Sequence, residues 1–160
     1  MADERRGLAG PVRAESVMAL EALLLDSVDL FTQVKQAGWN VKGPSFIALH
    51  GLFGALAECI EAHNDTLAER IAALGVEVRG TARAVAQRSR LSEYPAGTAG
   101  GRSHVAALVE RMEMFTNALR IAIDVAAGRG DVVTADLFTT IARDLERKLW
   151  LLEAQLIPEQ

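Results

Sequence analysis

Four stretches of this chain carry apolar residues at alternating steps of three and four, and one long connection separates the second stretch from the third. Such steps place apolar side chains along one face of an α-helix. The clearest stretch contains Phe46, Leu49, Phe53, Leu56, Ile60, Leu67, Ile71 and Leu74. No stretch alternates apolar and polar residues as a half-buried β-strand does. The pattern therefore predicts an all-α fold.

The same pattern, read with capping residues, gives the expected bounds of the helices. They are about 15–39, 46–74, 104–127 and 132–155. Ser45 and Ser103 are the expected N-caps of the second and third helices, and Gly75 is a C-terminal stop. The connection 76–102 contains a weak helical turn at 82–90. A connection of that length in a compact domain predicts a crossover between helices that run the same way, as in a ferritin-like four-helix bundle.

The chain length of 160 residues suits one domain. Residues 1–13 are polar and contain Gly and Pro, so we expect a flexible N-terminal arm, followed by a single bundle domain over 14–160. The start has no apolar segment of the secretory type, and no apolar stretch is long enough to span a membrane. We expect a cytoplasmic protein with no membrane partner, associated with the nucleoid if it binds DNA.

The net charge of −4 does not favour binding of the whole chain to nucleic acid. Two local basic segments are the candidates, one in the crossover and one in the N-terminal arm. They contain Arg79, Arg83, Arg88 and Arg90, and Arg5, Arg6 and Arg13. Acidic neighbours offset the arm, and a solvated loop is the favoured interpretation of the crossover. Cys59 is the only cysteine, so it forms no internal disulfide, and we expect a small buried apolar side chain.

The three histidines do not fall in a common catalytic motif. None follows a glutamate by three residues, which excludes the Glu-x-x-His pairs of a di-iron site inside one bundle. We expect His63 to be packed or at an interface, and His104 to lie on the surface in the first turn of its helix. Trp39 and Trp150 are expected to be core or interface anchors.

A polar stripe on the second helix is the one candidate site. It consists of His50, Gly54, Glu58, Glu61, Asp65 and Glu69. Steps of three and four place these residues on one helical face beside the apolar face. Carboxylate oxygens and an imidazole nitrogen suit iron, manganese or zinc. Acidic stripes are also common as solvated surface, and spacing alone favours that second interpretation.

Three segments resemble the Dps family of mini-ferritins. They are KQAGWNVKGPSFIALH at 35–50, HNDTLAERIAALG at 63–75 and GDVVTADLFTTIARDLERKLWLLEAQL at 130–156. The resemblance implies a ferritin-like bundle that assembles into a shell of twelve subunits, oxidises Fe²⁺ with peroxide or oxygen, and stores Fe³⁺ inside. It also implies that DNA is a possible partner, since some members coat it. The family's ferroxidase site lies at a two-fold interface, where one subunit gives two histidines and an aspartate and its neighbour an aspartate and a glutamate.

Only part of that ligand set has a match in this chain. His50 matches the second histidine, Asp65 the neighbour's aspartate and Glu69 the neighbour's glutamate. Gly38 stands where the first histidine is expected, and Gly54 where the first subunit's aspartate is expected. The remaining ligands could hold one metal with water, so we expect slow oxidation at an altered site, and whether the chain is an active ferroxidase stays open.

Three further expectations follow from the resemblance and from the stripe. If two second helices cross antiparallel, Glu58 or Glu61 of the mate could supply an oxygen to a displaced metal. The family's pores suggest Asp131 and Asp136 as cation-attracting residues, with capping of the last helix as the simpler role. The rival function is that of a cage that no longer oxidises Fe²⁺. Such a cage could bind DNA, have a structural role, or assemble with an intact paralogue.

Overall fold

The predicted bundle of four long helices is present in a computed structural model that describes residues 7–158. The helices are α1 Gly10–Asn40, α2 Phe46–Ala73, α3 Ala82–Arg88, α4 Gly101–Gly128 and α5 Val132–Ala154. Helix α1 packs on α2 and α4, α4 packs on α5, and the short α3 lies against α1. The all-α class and the crossover with its short helix are thus confirmed. Among the described helices, none combines the length and apolarity needed to cross a bilayer.

Two helix starts differ from their expected positions. Helix α1 begins at Gly10, so 10–13 of the expected arm are helical, while residues 1–6 lie outside the described part of the chain. Helix α4 begins at Gly101 with Gly100 as its N-cap, so the prediction of Ser103 as the cap is wrong. A Cβ atom at Gly101 would lie 2.6 Å from Leu49 Cδ1. A side chain at Gly101 would therefore force the end of the Leu49 side chain to move, so the start of α4 packs closely on α2.

The core lies between the apolar faces of the four long helices. Its largest fully buried side chains include Phe53 on α2, Phe115 on α4 and Phe138 on α5. Complete burial of one such side chain contributes about 2–3 kcal/mol. Gly75, with φ of +85°, ends α2 as predicted, because a left-handed residue stops the helix without a Cβ clash. The apolar pattern thus defines the inner face of each helix and leaves the polar stripe of α2 outside.

The crossover is fixed to α1 by a buried carboxylate. Asp26 is 2% exposed and accepts hydrogen bonds from the backbone N–H and the Nε of Arg90, both at 2.8 Å. One turn further along α1, Asp29 accepts a hydrogen bond from Ser89 Oγ at 2.6 Å. Arg90 therefore compensates a buried charge and connects the crossover to α1.

A second buried carboxylate, Asp131, fixes the turn between α4 and α5. It is 1% exposed and caps α5 by accepting from the Thr134 backbone N–H at 3.1 Å. It also accepts from Ser16 Oγ on α1 at 2.6 Å and from Arg70 on α2 at 3.2 Å. Burial acts to raise the pKa of Asp131, but these hydrogen bonds and the Arg70 charge hold the pKa below its usual value. One carboxylate thus joins three helices.

Removing this carboxylate should destabilise the fold. We expect Asp131→Ala to lose about 3 kcal/mol, because Arg70 then lies buried without its counter-ion. For a chain of this size that corresponds to a thermal midpoint roughly 10 °C lower. Asp136→Ala, which removes an exposed carboxylate of the same helix, is the matched control and should shift the midpoint by less than about 2 °C.

The pH dependence of that loss has a defined sign. The folded-state pKa of Asp131 lies below the ordinary value of 3.8, so its charged form stabilises the fold above that pH. This contribution disappears as the pH falls through the folded-state pKa. The difference in midpoint between the two variants should therefore be constant from about pH 5 upwards and shrink below about pH 4. A difference that does not change with pH would contradict the role assigned to the Asp131 charge.

Candidate metal centre

The polar stripe lies on the outer face of α2. His50, Glu58, Glu61, Asp65 and Glu69 are all exposed in the single chain. Their neighbours at the apolar steps, such as Phe53, Ile60 and Leu67, are buried against the rest of the bundle. The stripe predicted from spacing is therefore present on one continuous helix, with every candidate ligand directed away from the core.

The length of α2 separates the stripe into two half-sites. His50 and Asp65 are fifteen residues apart on this helix, which at the helical rise is about 22 Å along the axis. Asp65 and Glu69 are one turn apart and lie about 6 Å from each other along the same axis. Metal–ligand bonds of about 2 Å cannot connect His50 to Asp65 within one chain. A metal that uses both half-sites must lie between two chains.

His50 lies beside a small cavity between α1 and α2. The cavity has a volume of about 100 Å³ and is lined by Val34, Lys35, Gly38, Trp39, His50, Phe53 and Gly54. The Phe46 ring lies one turn before His50, with ring centroids 5.2 Å apart. Both glycines that replace expected ligands thus line one cavity with the histidine that remains.

Neither glycine is required by the packing of the single chain. A Cβ atom at Gly54 would meet no atom within 4 Å, and one at Gly38 would lie 3.9 Å from Phe53 Cβ, an ordinary contact. Neither residue has a positive φ. Both positions could therefore carry a side chain, and glycine brings no gain in backbone geometry at either one.

Known proteins of similar sequence and structure identify the family. A family model for the ferritin-like domain matches residues 17–157. The DNA protection during starvation protein of Agrobacterium fabrum is 40% identical over 148 residues, which cover 91% of each chain. This chain belongs to the Dps family of ferritin-like proteins. It is a mini-ferritin.

Solved structures of Dps proteins agree with this assignment. The Dps of Mycobacterium smegmatis superposes with a TM-score of 0.91 at 29% identity, covering 95% of this chain and 92% of that one. The Dps of Vibrio cholerae, described as a ferritin-like diiron-carboxylate protein, gives a TM-score of 0.91 at 25% identity and covers 98% of both chains. The Dps fold is therefore continuous over almost the whole chain.

The two acidic residues expected at the Dps pore differ in environment. Asp131 is buried and bound to Ser16, Thr134 and Arg70, so it acts as a helix cap and ion-pair partner. Capping of the last helix, the simpler role expected for Asp131, is thus present, and its pore role stays a prediction. Asp136 is exposed, and for it the pore role stays a prediction.

Two other expectations need correction. His104 is 1% exposed, and its Nδ1 contacts the Tyr94 hydroxyl, so it is not a surface residue. The crossover folds Tyr94 over the start of α4, an arrangement that no local spacing reveals. Trp39 and Trp150 are 74% and 63% exposed, which excludes the core role and leaves the interface role as the prediction.

The crossover arginines and the remaining histidine also have defined environments. Arg83 and Arg88 are exposed, and Arg79 is exposed and pairs with Glu77 at 3.3 Å. His63 is buried, one of the two environments expected for it. It lies with Cys59 and Asp144 in a cluster that the sequence did not predict. In the sequence, only the spacing of Cys59 and His63 by one helical turn could have indicated this cluster, because Asp144 lies far along the chain on another helix.

A substitution at Gly54 tests whether glycine has a structural role there. We expect Gly54→Ala to stabilise the protein by about 0.5–1 kcal/mol, because alanine is the better helix former and its Cβ has open space. Gly75→Ala is the contrasting variant and should destabilise it by about 1 kcal/mol or more, because φ is +85° there. Thermal midpoints measured at equal concentration compare the two. A loss of stability in Gly54→Ala would show that a neighbouring subunit needs that space.

Proposed function

We propose that this chain is an iron-sequestering mini-ferritin subunit whose inter-subunit oxidation site is weakened. The observation that supports the proposal most strongly is the division of α2 into a His50 half-site and an Asp65–Glu69 half-site, both exposed and too far apart to act within one chain. Family membership supplies the substrate, Fe²⁺, and the product, Fe³⁺, held inside a shell. The two glycines explain why the site is weakened.

The three remaining ligands have distinct roles in this proposal. Asp65 fixes the first Fe²⁺, Glu69 anchors or bridges through its second oxygen, and His50 of the facing subunit completes the protein ligands. Carboxylates and imidazole suit Fe²⁺, and water can occupy the open positions. Oxidation of two Fe²⁺ by one peroxide consumes two protons and gives two Fe³⁺ and two waters. A second Fe²⁺ finds no side-chain donor at Gly38 or Gly54, so the two-electron step is slow.

The partner in this proposal is a further copy of the chain, within a shell of twelve. Several large apolar side chains are exposed in the single chain. They include Met18, Trp39, Ile47, Ile121, Val132 and Trp150. Trp39 lines the cavity beside His50, which places exposed apolar surface next to the half-site. A two-fold contact between α2 helices would bury this surface and bring the half-sites together.

Two glutamates between the half-sites offer a variation on this arrangement. In an antiparallel crossing with His50 opposite Glu69, Glu58 and Glu61 face each other near the two-fold axis. A carboxylate oxygen of either glutamate could hold an iron that is displaced from the position next to Gly38 and Gly54. Iron-edge anomalous density within ligand distance of Glu58 or Glu61 would support this variation, and density confined to Asp65, Glu69 and His50 would exclude it.

The second candidate function is a cage that has lost oxidation and binds DNA or serves a structural role, alone or with an intact paralogue. The loss of two ligands favours it, and relatives are named for DNA protection. The exposed residues Arg79, Arg83 and Arg88 are its most suitable phosphate contacts. Against DNA binding stands the net charge of −4. A mobility shift that weakens with added salt would support this function.

Restoring the missing ligands tests the main proposal. We expect the wild-type protein to oxidise Fe²⁺ slowly in the presence of peroxide, as followed by stopped-flow absorbance. The Gly38→His/Gly54→Asp variant should be at least roughly tenfold faster, because it supplies donors for the second iron. Gly38→Ala/Gly54→Ala is the matched control, which changes the helices but adds no donor, and it should remain slow.

Two results would overturn the proposal. The first is a wild-type rate equal to that of the ligand-restored variant, which would show that the glycines do not limit the site. The second is an unchanged rate in Asp65→Ala/Glu69→Ala, which would place oxidation elsewhere on the protein.

A further inference from the structure

A cluster of three different metal ligands lies between α2 and α5, apart from the half-sites of the iron centre. The ligand atoms of Cys59, His63 and Asp144 all lie within 4.8 Å of one another. Cys59 and His63 are one turn apart on α2, and Asp144 comes from the facing side of α5. Two elements of the bundle therefore bring a thiol, an imidazole and a carboxylate together.

The histidine of this cluster has a buried ring nitrogen that lies close to the Asp144 carboxylate but meets no hydrogen-bond partner in good geometry. His63 is 8% exposed, and its Nε2 is buried without a hydrogen bond in the structure. This nitrogen lies 3.2 Å from Asp144 Oδ2, but the ring N–H direction does not meet that oxygen. A buried polar atom in such a position normally has a partner, because leaving it unsatisfied costs about 1–3 kcal/mol. A ring nitrogen of His63 lies within 4.8 Å of both the Cys59 sulfur and an Asp144 carboxylate oxygen.

Metal binding at this cluster has to remove the proton of the Cys59 thiol. Burial, aided by the Asp144 carboxylate and opposed by Lys148, raises the pKa of the Cys59 thiol. Binding of a dication would release the thiol proton and neutralise the charge that thiolate and carboxylate would otherwise place side by side.

We propose that Cys59, His63 and Asp144 form a second metal site that binds Zn²⁺. One thiolate sulfur, one imidazole nitrogen and one carboxylate oxygen are the three donor types of tetrahedral zinc. At zinc–ligand bonds of about 2.0–2.3 Å, the donors of such a site are roughly 3.5 Å apart. The ligand atoms of the cluster lie within 4.8 Å of one another, so side-chain rotation has to bring them closer. Water completes the shell, since the Asp144 side chain is 52% exposed.

This site is independent of the proposed iron function, because it shares no residue with it. Bound Zn²⁺ would connect α2 to α5 within one subunit and stabilise the bundle according to the free metal concentration. The two sites should prefer different metals because their ligands differ in softness. The thiolate favours Zn²⁺, whereas the carboxylates and imidazole of the half-sites suit Fe²⁺.

Cobalt substitution tests the proposal on the full-length assembled protein. Co²⁺ added anaerobically should give tetrahedral d–d bands and a thiolate-to-cobalt charge-transfer band at one equivalent per chain, and Zn²⁺ should displace it. Because Cys59 is the only cysteine, the charge-transfer band reports on this site alone. Cys59→Ser should abolish the band, and Asp144→Asn should weaken Co²⁺ binding by roughly tenfold or more.

Two controls separate this site from the iron centre and from the neighbouring acidic surface. Asp65→Ala/Glu69→Ala should retain the full charge-transfer band, and Glu58→Gln, which changes the exposed carboxylate next to Cys59, should retain it too. Absence of the charge-transfer band in the wild-type protein, or its loss in Asp65→Ala/Glu69→Ala, would overturn the proposal. Neither result would bear on whether the half-sites oxidise iron.

Discussion

The stiffness of one helix determines what this protein can do with a metal. Helix α2 runs unbroken from Phe46 to Ala73, and a rise of about 1.5 Å per residue keeps its two ends apart. His50 lies near one end, and Asp65 and Glu69 lie towards the other, all facing away from the core. The packing of the bundle prevents this helix from bending to join them. In the proposed function, iron oxidation therefore requires the α2 surface of a second chain. The same contact between α2 helices supports both assembly and activity.

The bundle fold is intact, whereas in the proposed function the iron ligand set is incomplete. The apolar faces, the Asp26 and Asp131 anchors and the exposed Trp39 are in place. Gly38 and Gly54 remove donors without relieving any contact in the chain. Since helical glycine is also less stable than alanine by up to about 1 kcal/mol, the substitutions do not improve the subunit itself. In the proposed function, their effect falls on the second iron position.

Much of this could be predicted from sequence, because helical periodicity is a local property. The step pattern of α2 correctly separated its buried face from its polar stripe, and the long connection indicated the crossover. Environments created by distant segments could not be predicted in this way. His104 is covered by Tyr94 from the crossover, and Asp131 is buried by Ser16 and Arg70 from two other helices. The partner of Cys59 and His63 is Asp144, on another helix.

The central claim is that one metal uses His50 of one subunit and Asp65 and Glu69 of another. Mixed cages test it most directly, with both subunit types in the ligand-restored Gly38→His/Gly54→Asp background. Subunits carrying His50→Ala are co-expressed with subunits carrying Asp65→Ala/Glu69→Ala, and rapid Fe²⁺ oxidation is measured per site. Each variant alone should be inactive, whereas random two-fold pairing should restore about a quarter of the sites. A mixture no more active than the separate variants would contradict the shared site.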